Sequence, residues 1–434
     1  MHSLHRQGFG RRLRLGRLLL RRHGPTSTQW RGRVAIFGGA VAVGLVAILF
    51  ARLADVASDV FAAGVARRWW LPLLLTPAGY AAIAWATRRF APEAGGSGIP
   101  QIIAAKADPE RATGALASAR TAILKVALTA SGLACGASVG REGPTVQVGA
   151  TVMAYAHRIM RVPIRSSVLV AGAAAGVAAA FNTPLAGVSF AIEELAAAYE
   201  QRMTLLVMSA VLIAGMISLG LAGDYVYFGI VGQTLSIAAT CLLAPLAGVA
   251  GGICGGLFSR AMLWLSRGGA KRLSFGRPIA FAAGCGLTVA MVGLVSGLTW
   301  GTGYVPARAL IAGAQTSLWF GPAKFATTLA TAAAGLPGGI FAPTLATGAG
   351  LGNGLHALFP SEPGGAVILL GMVAYFTGVV RAPLTAVIII AETTGSRGLM
   401  MPLLATALIA EGTASLVSRE RLYHGLAQRF VTSA

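Results

Sequence analysis

Long apolar segments, separated by short polar ones, run through the chain from about residue 34 onward. They occupy 34–50, 71–87, 165–192, 203–223, 225–259, 279–306, 363–380 and 398–410. The longest contains no Asp, Glu, Lys, Arg or His, and it exceeds the roughly 20 apolar residues that cross a bilayer as a helix. These segments lack the alternation of apolar and polar residues that transmembrane strands need. The pattern therefore predicts an all-α polytopic membrane protein.

Composition and charge agree with this class. Only 11% of the residues are charged and 55% are hydrophobic, whereas roughly 25% of a soluble protein is charged. The formal net charge of +21 raises nucleic acid as a partner, but the bases lie mostly at the chain ends and between the apolar segments. A basic arm at a membrane surface more simply contacts anionic lipid headgroups, so we expect no nucleic-acid binding.

The two ends of the chain indicate its orientation. Residues 1–33 are rich in Arg and contain no acid, and Arg419, Arg421 and Arg429 follow the last apolar segment. An excess of positive charge marks the cytoplasmic side, so we expect both termini in the cytoplasm. No apolar run of signal-peptide length precedes residue 34. We therefore expect a retained arm on a multi-pass protein of the inner (plasma) membrane.

An internal repeat divides the chain. An offset of 199 residues aligns scarce residue types without a gap: Lys125 with Lys324, Pro144 with Pro343, Pro184 with Pro383 and Glu193 with Glu392. We predict a basic arm at 1–33, a first membrane repeat at 34–222, a connection at 223–237, a second repeat at 238–417 and a C-terminal segment at 418–434. Such repeats are typical of transporters whose halves insert with opposite orientation and hold the substrate between them.

Three segments rich in Gly and Pro form the candidate substrate site. They are GSGIP at 96–100, GREGP at 140–144 and GIFAP at 339–343. Because proline favours the first position of a helix, we expect helices to begin at Pro100, Pro144, Pro184, Pro343 and Pro383. Free N–H groups at a helix start bind anions. Kinks that serve only helix packing are the alternative, but matched segments in both repeats favour a small-anion site.

Glu142 lies inside the second of these segments. At the positive end of a helix, its carboxylate would compete with a bound anion for the same place. Protonation of Glu142 would then release the anion path and couple proton binding to anion movement. The alternative is a simple ion pair with the adjacent Arg141 in a solvated loop, although an acid in apolar sequence is by default a candidate functional residue.

Glu193 and Glu194 form a second acidic pair, close after Pro184. A proton relay needs ionisable groups part-way through the membrane, and Glu194 could exchange protons with the cytoplasmic side. An acid pair that caps or flanks the end of a span is an equally good interpretation from spacing alone. Glu392, the repeat mate of Glu193, favours the structural interpretation for Glu193.

The three Gly/Pro segments, in this order and at these separations, resemble the anion-site signatures of the CLC chloride channels and transporters. FNTPLAGVSFAIEE at 181–194 and LYHGLAQRF at 422–430 are also similar to segments of that family. The resemblance implies two inverted repeats of tilted and broken helices, assembled as a homodimer with one pore per subunit. The sequence stops at Ala434, so we expect a prokaryotic-type member without the C-terminal regulatory module of eukaryotic relatives.

The resemblance also implies residue roles. The hydroxyls of Ser97 and Tyr423 would bind the central chloride, and Glu142 and Glu194 would be the external gate and the internal proton-transfer residue. The remaining chloride-binding positions would act mainly through backbone N–H groups: Gly98, Ile99, Arg141, Gly143, Ile340 and Phe341.

The function implied is exchange of chloride for protons, because exchangers of this family usually keep an ionisable residue at the position of Glu194. A passive chloride-selective channel on the same scaffold is the alternative. The serine in GSGIP resembles chloride-selective members. Beyond chloride and protons we expect no cofactor and no metal, and no enzyme activity, since the histidines form no His-Glu-x-x-His motif.

Overall fold

We analysed a computed structural model, which describes residues 27–195, 201–223 and 226–431. The fold is helical. The first half holds α1 Ser27–Arg67, α2 Leu71–Phe90, α3 Ile99–Ala105, α4 Pro109–Ala112, α5 Ala119–Ala134, α6 Glu142–Ile159, α7 Ser166–Phe181, α8 Pro184–Phe190 and α9 Gln201–Ala222. The second half holds α10 Ile237–Trp264, α11 Ala270–Leu273, α12 Pro278–Ser296, α13 Tyr304–Ile311, α14 Phe320–Ala333, α15 Phe341–Leu358, α16 Gly364–Val380, α17 Pro383–Thr394, α18 Met400–Val417 and α19 Leu422–Val431.

Among the described residues, four helical stretches are long and apolar enough to cross a membrane by length and composition: Gln29–Arg67, Ile237–Leu273, Pro278–Ser296 and Arg397–Val417. Further apolar helices are shorter, among them Ser166–Phe181 and Gly364–Val380. The apolar segment at 165–192 does not form a single helix. It breaks where Asn182 adopts a left-handed conformation (φ 57°) and α8 begins at Pro184, a combination of C-terminal cap and proline start.

The predicted basic arm at 1–33 lies mostly outside the described part of the chain, which leaves out residues 1–26. From Ser27, the first described residue, the chain is helical. Arg31 and Arg33 therefore belong to a long helix whose later residues are mostly apolar.

Several helices recur in both halves at the 199-residue offset. Shifting α6 by 199 residues reproduces both ends of α15, and α8 and α17 each begin at a proline separated by the same offset. The packing repeats as well, since α1 lies against α7 and α9 while α10 lies against α16 and α18. The predicted all-α fold of two related halves with broken helices is confirmed, while the individual domain boundaries stay predictions.

Close helix contacts also follow the repeat. A Cβ atom added to Gly149 of α6 would lie 2.4 Å from the carbonyl oxygen of Gly172 in α7. A Cβ atom added to its repeat mate, Gly348 of α15, would lie 2.7 Å from the carbonyl oxygen of Gly371 in α16. Small residues permit this backbone approach, which membrane helices use in place of hydrophobic association. Each half therefore holds its central helix pair in the same way.

Two fully buried lysines support equivalent loops. Lys125 of α5 donates to the carbonyl oxygens of Ala94 and Gly96 at 2.8 and 2.6 Å. Lys324 of α14 donates in the same manner to Thr299 and Gly301 at 2.9 and 2.8 Å. A buried ammonium group needs such acceptors, and in the first half these bonds hold the segment that precedes Ser97.

Candidate functional site

Backbone hydrogen bonds join the three Gly/Pro segments at the interface of the halves. Gly140 and Gly339 exchange two N–H···O bonds of 2.7 and 2.8 Å. Gly96 donates to the carbonyl of Leu336 at 3.2 Å and accepts from the N–H of Gly338 at 3.1 Å. The segments that the sequence singles out therefore meet in space.

Helices begin at this meeting point from both halves. α6 starts at Glu142, α15 at Phe341 and α3 at Ile99, so the unpaired N–H groups of three first turns face the same region. The expectation that a proline opens each helix is correct for α8 and α17. It is wrong for α6 and α15, where proline is the third residue, and for α3, where it is the second, because a proline anywhere in the first turn sacrifices no helical bond.

Two hydroxyls from distant parts of the chain face each other beside these helix starts. Ser97 is 9% exposed and Tyr423 is fully buried, and the two hydroxyls are close enough to interact. Neither makes a hydrogen bond of ordinary geometry within the described part of the chain. Ser97 does not cap α3, which follows Gly98 in a left-handed conformation (φ 104°). Two orphaned buried donors at positive helix ends suit a small anion.

Glycines let the backbone approach the Ser97 hydroxyl. A Cβ atom on Gly143 would lie 2.5 Å from Oγ of Ser97 and 3.0 Å from Cα of Gly339. A Cβ atom on Gly339 would in turn lie 2.8 Å from the backbone nitrogen of Gly143. The predicted residues Gly143, Ile340 and Phe341 are all within this buried junction.

Aromatic packing fixes the start of α15. The ring of Phe341 is 5.0 Å from Phe376, 5.8 Å from Phe190 and 6.0 Å from Tyr423, measured between centroids. Such edge-on and tilted contacts orient the rings. Phe341 therefore holds both its own backbone N–H and the Tyr423 ring in place.

Glu142 is completely buried. Its carboxylate faces the backbone N–H groups of Glu142 and Ala342, without a hydrogen bond of ordinary geometry to any described residue. It thus lies at the start of α15 as well as of its own helix. Arg141 points elsewhere and donates from one guanidinium nitrogen to Asp55 and to the carbonyl of Ala51, each at 2.6 Å. The alternative of a solvated Glu142–Arg141 pair is therefore wrong.

Glu193 and Glu194 have different surroundings, although they are adjacent in a π-helical turn at Ala191–Leu195. Glu193 accepts from the N–H groups of Leu384 and Thr385 at 2.9 and 2.7 Å and so caps α17. Its repeat mate Glu392 caps α8 reciprocally through Leu185 and Ala186. This is the structural role that the sequence favours for Glu193.

Glu194 instead points into the protein and is 1% exposed. Its Oε1 lies 3.4 Å from Nδ1 of His424, whose side chain is 44% exposed. Lys106 at the end of α3 acts electrostatically on Glu194 and donates to the carbonyl of Leu195. The sequence analysis does not predict His424 as a site residue, because it stands in a cluster of terminal bases. Its position next to Tyr423 is the feature of the sequence that could indicate it.

No set of three or more His, Cys, Asp or Glu side chains suited to a metal ion occurs within the described residues. The polar groups of the junction are hydroxyls, N–H groups and carboxylates. Their chemistry is reversible binding of an anion and of protons.

Residues 79–415 match the family model described as voltage gated chloride channel. The H(+)/Cl(-) exchange transporter ClcA of Vibrio cholerae serotype O1 is 36% identical, over 83% of this chain and 80% of its own length. The same values hold for ClcA of two further strains of that serotype.

Solved structures show the same fold. A slow cyanobacterial Cl-/H+ antiporter matches with a TM-score of 0.79 and 24% identity, covering 93% of this chain and 98% of that one. A CLC-type fluoride/proton antiporter matches with a TM-score of 0.77 and 22% identity, covering 92% and 97%. The match to a family model over most of the chain and the identity to ClcA establish the family. The chain therefore belongs to the CLC family of chloride channels and transporters.

Proposed function

We propose that this protein is a secondary antiporter that exchanges chloride for protons. The observation that carries the proposal is the alignment of two buried carboxylates with a buried hydroxyl pair. The Tyr423 hydroxyl faces Ser97 and is close enough to Glu142 and Glu194 to be affected by both charges. An anion bound at these hydroxyls would therefore have two ionisable groups within electrostatic reach.

Chloride binds, in this proposal, between the two hydroxyls and the first-turn N–H groups of α15. Ile340 and Phe341 supply the latter, while Gly98 and Ile99 line the site from α3. The N–H groups from Arg141 to Gly143 bind an outer chloride. All these donors replace the hydration shell of the ion inside a buried junction, where helix dipoles favour negative charge.

Glu142 acts as the gate because its carboxylate and an outer chloride seek the same N–H groups. The charged carboxylate excludes chloride, whereas the protonated side chain loses that preference and leaves the site. Glu194 passes protons to and from Glu142 on the inner side. A ligand shifts an equilibrium only through differential affinity, and here protonation of Glu142 and binding of the outer chloride both favour the state in which the side chain has left the site.

The remaining parts of the proposal follow the family resemblance. The serine of GSGIP supports chloride as the anion, and the fluoride/proton antiporter shares the fold alone. The protein works as a transporter and not as an enzyme, in the inner (plasma) membrane, with both termini cytoplasmic. It assembles as a homodimer with one pore per subunit. Light scattering in detergent should therefore give a protein mass of about 88 kDa, twice the 44.1 kDa of one chain; a mass of one chain would contradict the dimer.

Reconstitution into liposomes tests the transport mechanism. With an imposed chloride gradient and separate recording of both ions, we expect protons to move uphill against their own gradient, driven by chloride. Chloride flux without uphill proton movement would refute antiport and support the passive channel.

Two substitutions separate the roles of the carboxylates. Glu142→Gln mimics permanent protonation and should keep chloride flux while removing both proton transport and pH dependence. Glu194→Gln should stop proton transport and spare chloride flux. Glu110→Gln, at an exposed acid, is the matched control and should behave as the native protein. Full proton coupling in Glu142→Gln would contradict the gate.

A further inference from the structure

We propose that His424 carries protons between the solvent and the buried Glu194 carboxylate. The inference rests on the proposed function, because it concerns how the inner carboxylate is loaded and unloaded. Its basis is a contact between one nearly inaccessible acid and one half-exposed base. Nothing in the apolar pattern of the sequence assigns this role to His424.

Glu194 has no direct path to solvent of its own, since it is 1% exposed. His424 bridges the gap: its Nδ1 is 3.4 Å from Oε1 of Glu194, while 44% of its side chain is exposed. Proton-transfer pairs are often this long before the reacting complex tightens. One imidazole nitrogen therefore contacts the acid while part of the same side chain is exposed.

Imidazole suits this position because it both accepts and releases protons near neutral pH. His424 takes a proton from water and becomes an imidazolium whose Nδ1–H points at Glu194. Transfer of that proton to Oε1 leaves a neutral imidazole and a neutral carboxylic acid. Rotation of the half-exposed ring then presents the bare Nδ1 to water for the next proton. The reverse order carries protons outward.

Within the described part of the chain, the other charged groups around Glu194 are cations or are engaged elsewhere. From α3, Lys106 acts on Glu194 and donates to the Leu195 carbonyl. From the turn before α19, Arg421 also acts on Glu194 and lies 3.7 Å from Glu411 of α18.

Neighbouring acids do not offer a competing route in this geometry. Glu193 is bound to the start of α17, and Glu420 pairs with Arg267 and Gln428. Lys106 is held by the Leu195 carbonyl, and arginine keeps its proton near neutral pH. Among the residues that the structure describes, His424 is thus the neighbour of Glu194 that combines contact, exposure and an imidazole.

The test compares His424→Gln with His356→Gln in liposomes, recording proton and chloride flux separately. His356 is a partly exposed histidine at the end of α15, remote in sequence from the proton path, and its variant should keep native fluxes. His424→Gln should lose about tenfold or more in proton flux, since a positioned proton-transfer group contributes on the order of a hundredfold or more and water replaces part of its role. Chloride per proton should rise accordingly.

A rescue experiment separates proton transfer from a structural role. His424→Ala leaves a space beside Glu194 that opens to solvent, and added imidazole should restore proton flux, with a pH profile that follows the pKa of the imidazole derivative used. Chloride binding measured by calorimetry checks that both variants are folded.

The outcomes are distinct. Native proton flux in His424→Gln, or an unrescued His424→Ala with intact chloride binding, would overturn the role of His424 alone. Loss of chloride binding together with both fluxes would assign His424 a structural role and also overturn the inference. Absence of uphill proton transport in the native protein would refute the antiporter itself, and the role of His424 with it.

Discussion

Gly143→Ala tests the anion site with the smallest possible change. Gly143 lies one residue inside α6, and its backbone conformation is one that any residue adopts. The substitution therefore adds one methyl group and no backbone strain. That methyl group would lie 2.5 Å from Oγ of Ser97 and 3.0 Å from Cα of Gly339.

The size of the effect follows from these contacts. Ordinary van der Waals contact begins at 3.4 Å, so the Ser97 hydroxyl must move by about 0.9 Å, while Gly339 resists because the bridge to Gly140 holds its backbone. Overpacking of this kind costs about 1–3 kcal/mol of folding stability, which the displaced hydroxyl relieves. The hydroxyl then loses its bond to chloride, and because a hydrogen bond to a charged group contributes about 1.5–3 kcal/mol, binding should weaken by about 10-fold to 150-fold.

Isothermal titration with chloride in detergent measures this change directly. Gly354→Ala is the matched control, because it adds the same methyl group to α15 where no atom lies within 4 Å. We expect native affinity from the control and weakened binding from Gly143→Ala. Equal affinity in both variants would refute the placement of Ser97 at the chloride.

Three further substitutions probe neighbouring features. Tyr423→Phe removes one orphaned hydroxyl and should weaken chloride binding by about 1–3 kcal/mol in the same titration, as for a lost bond to a charged group; native affinity would exclude this hydroxyl from the site. Lys125→Met removes one of the two donors to the carbonyl of Gly96, which should lower the unfolding temperature and weaken chloride binding, whereas Lys324→Met, which removes the bonds to Thr299 and Gly301, should lower only the unfolding temperature. Glu392→Gln should weaken the cap on α8 by about 0.5–2 kcal/mol and lower the unfolding temperature without changing ion coupling; a change in the chloride to proton ratio would contradict its structural role.

Much of this site is predictable from sequence because its backbone conformation depends on glycine and proline at particular positions. Proline and glycine at 140–144 and 339–343 mark helix starts and close approach, and the 199-residue offset pairs them without an alignment of relatives. Composition alone also excludes a soluble protein. The all-α class, the two halves and the meeting of the Gly/Pro segments therefore follow from local chemistry and internal symmetry.

The rest depends on contacts between distant residues, which spacing does not encode. Arg141 forms its ion pair with Asp55 and not with the adjacent Glu142, because α1 packs against α6. The π-helical turn at Ala191–Leu195 directs Glu193 outward to α17 and Glu194 inward. Sequence treats these two acids as a pair, and only the packing of α8 against α17 and α19 against α3 gives them different roles.

Tyr423 and His424 are adjacent on one short helix, and we propose that they serve different ions. Successive residues of an α-helix point about 100° apart, so the neighbours enter different environments. Tyr423 turns its hydroxyl to Ser97 in the buried junction, while His424 contacts Glu194 and is 44% exposed. In the exchange mechanism that we propose, His424 can therefore load Glu194 with protons without itself binding chloride. The Tyr423 ring, held against Phe341, fixes the hydroxyl that we propose as a chloride ligand.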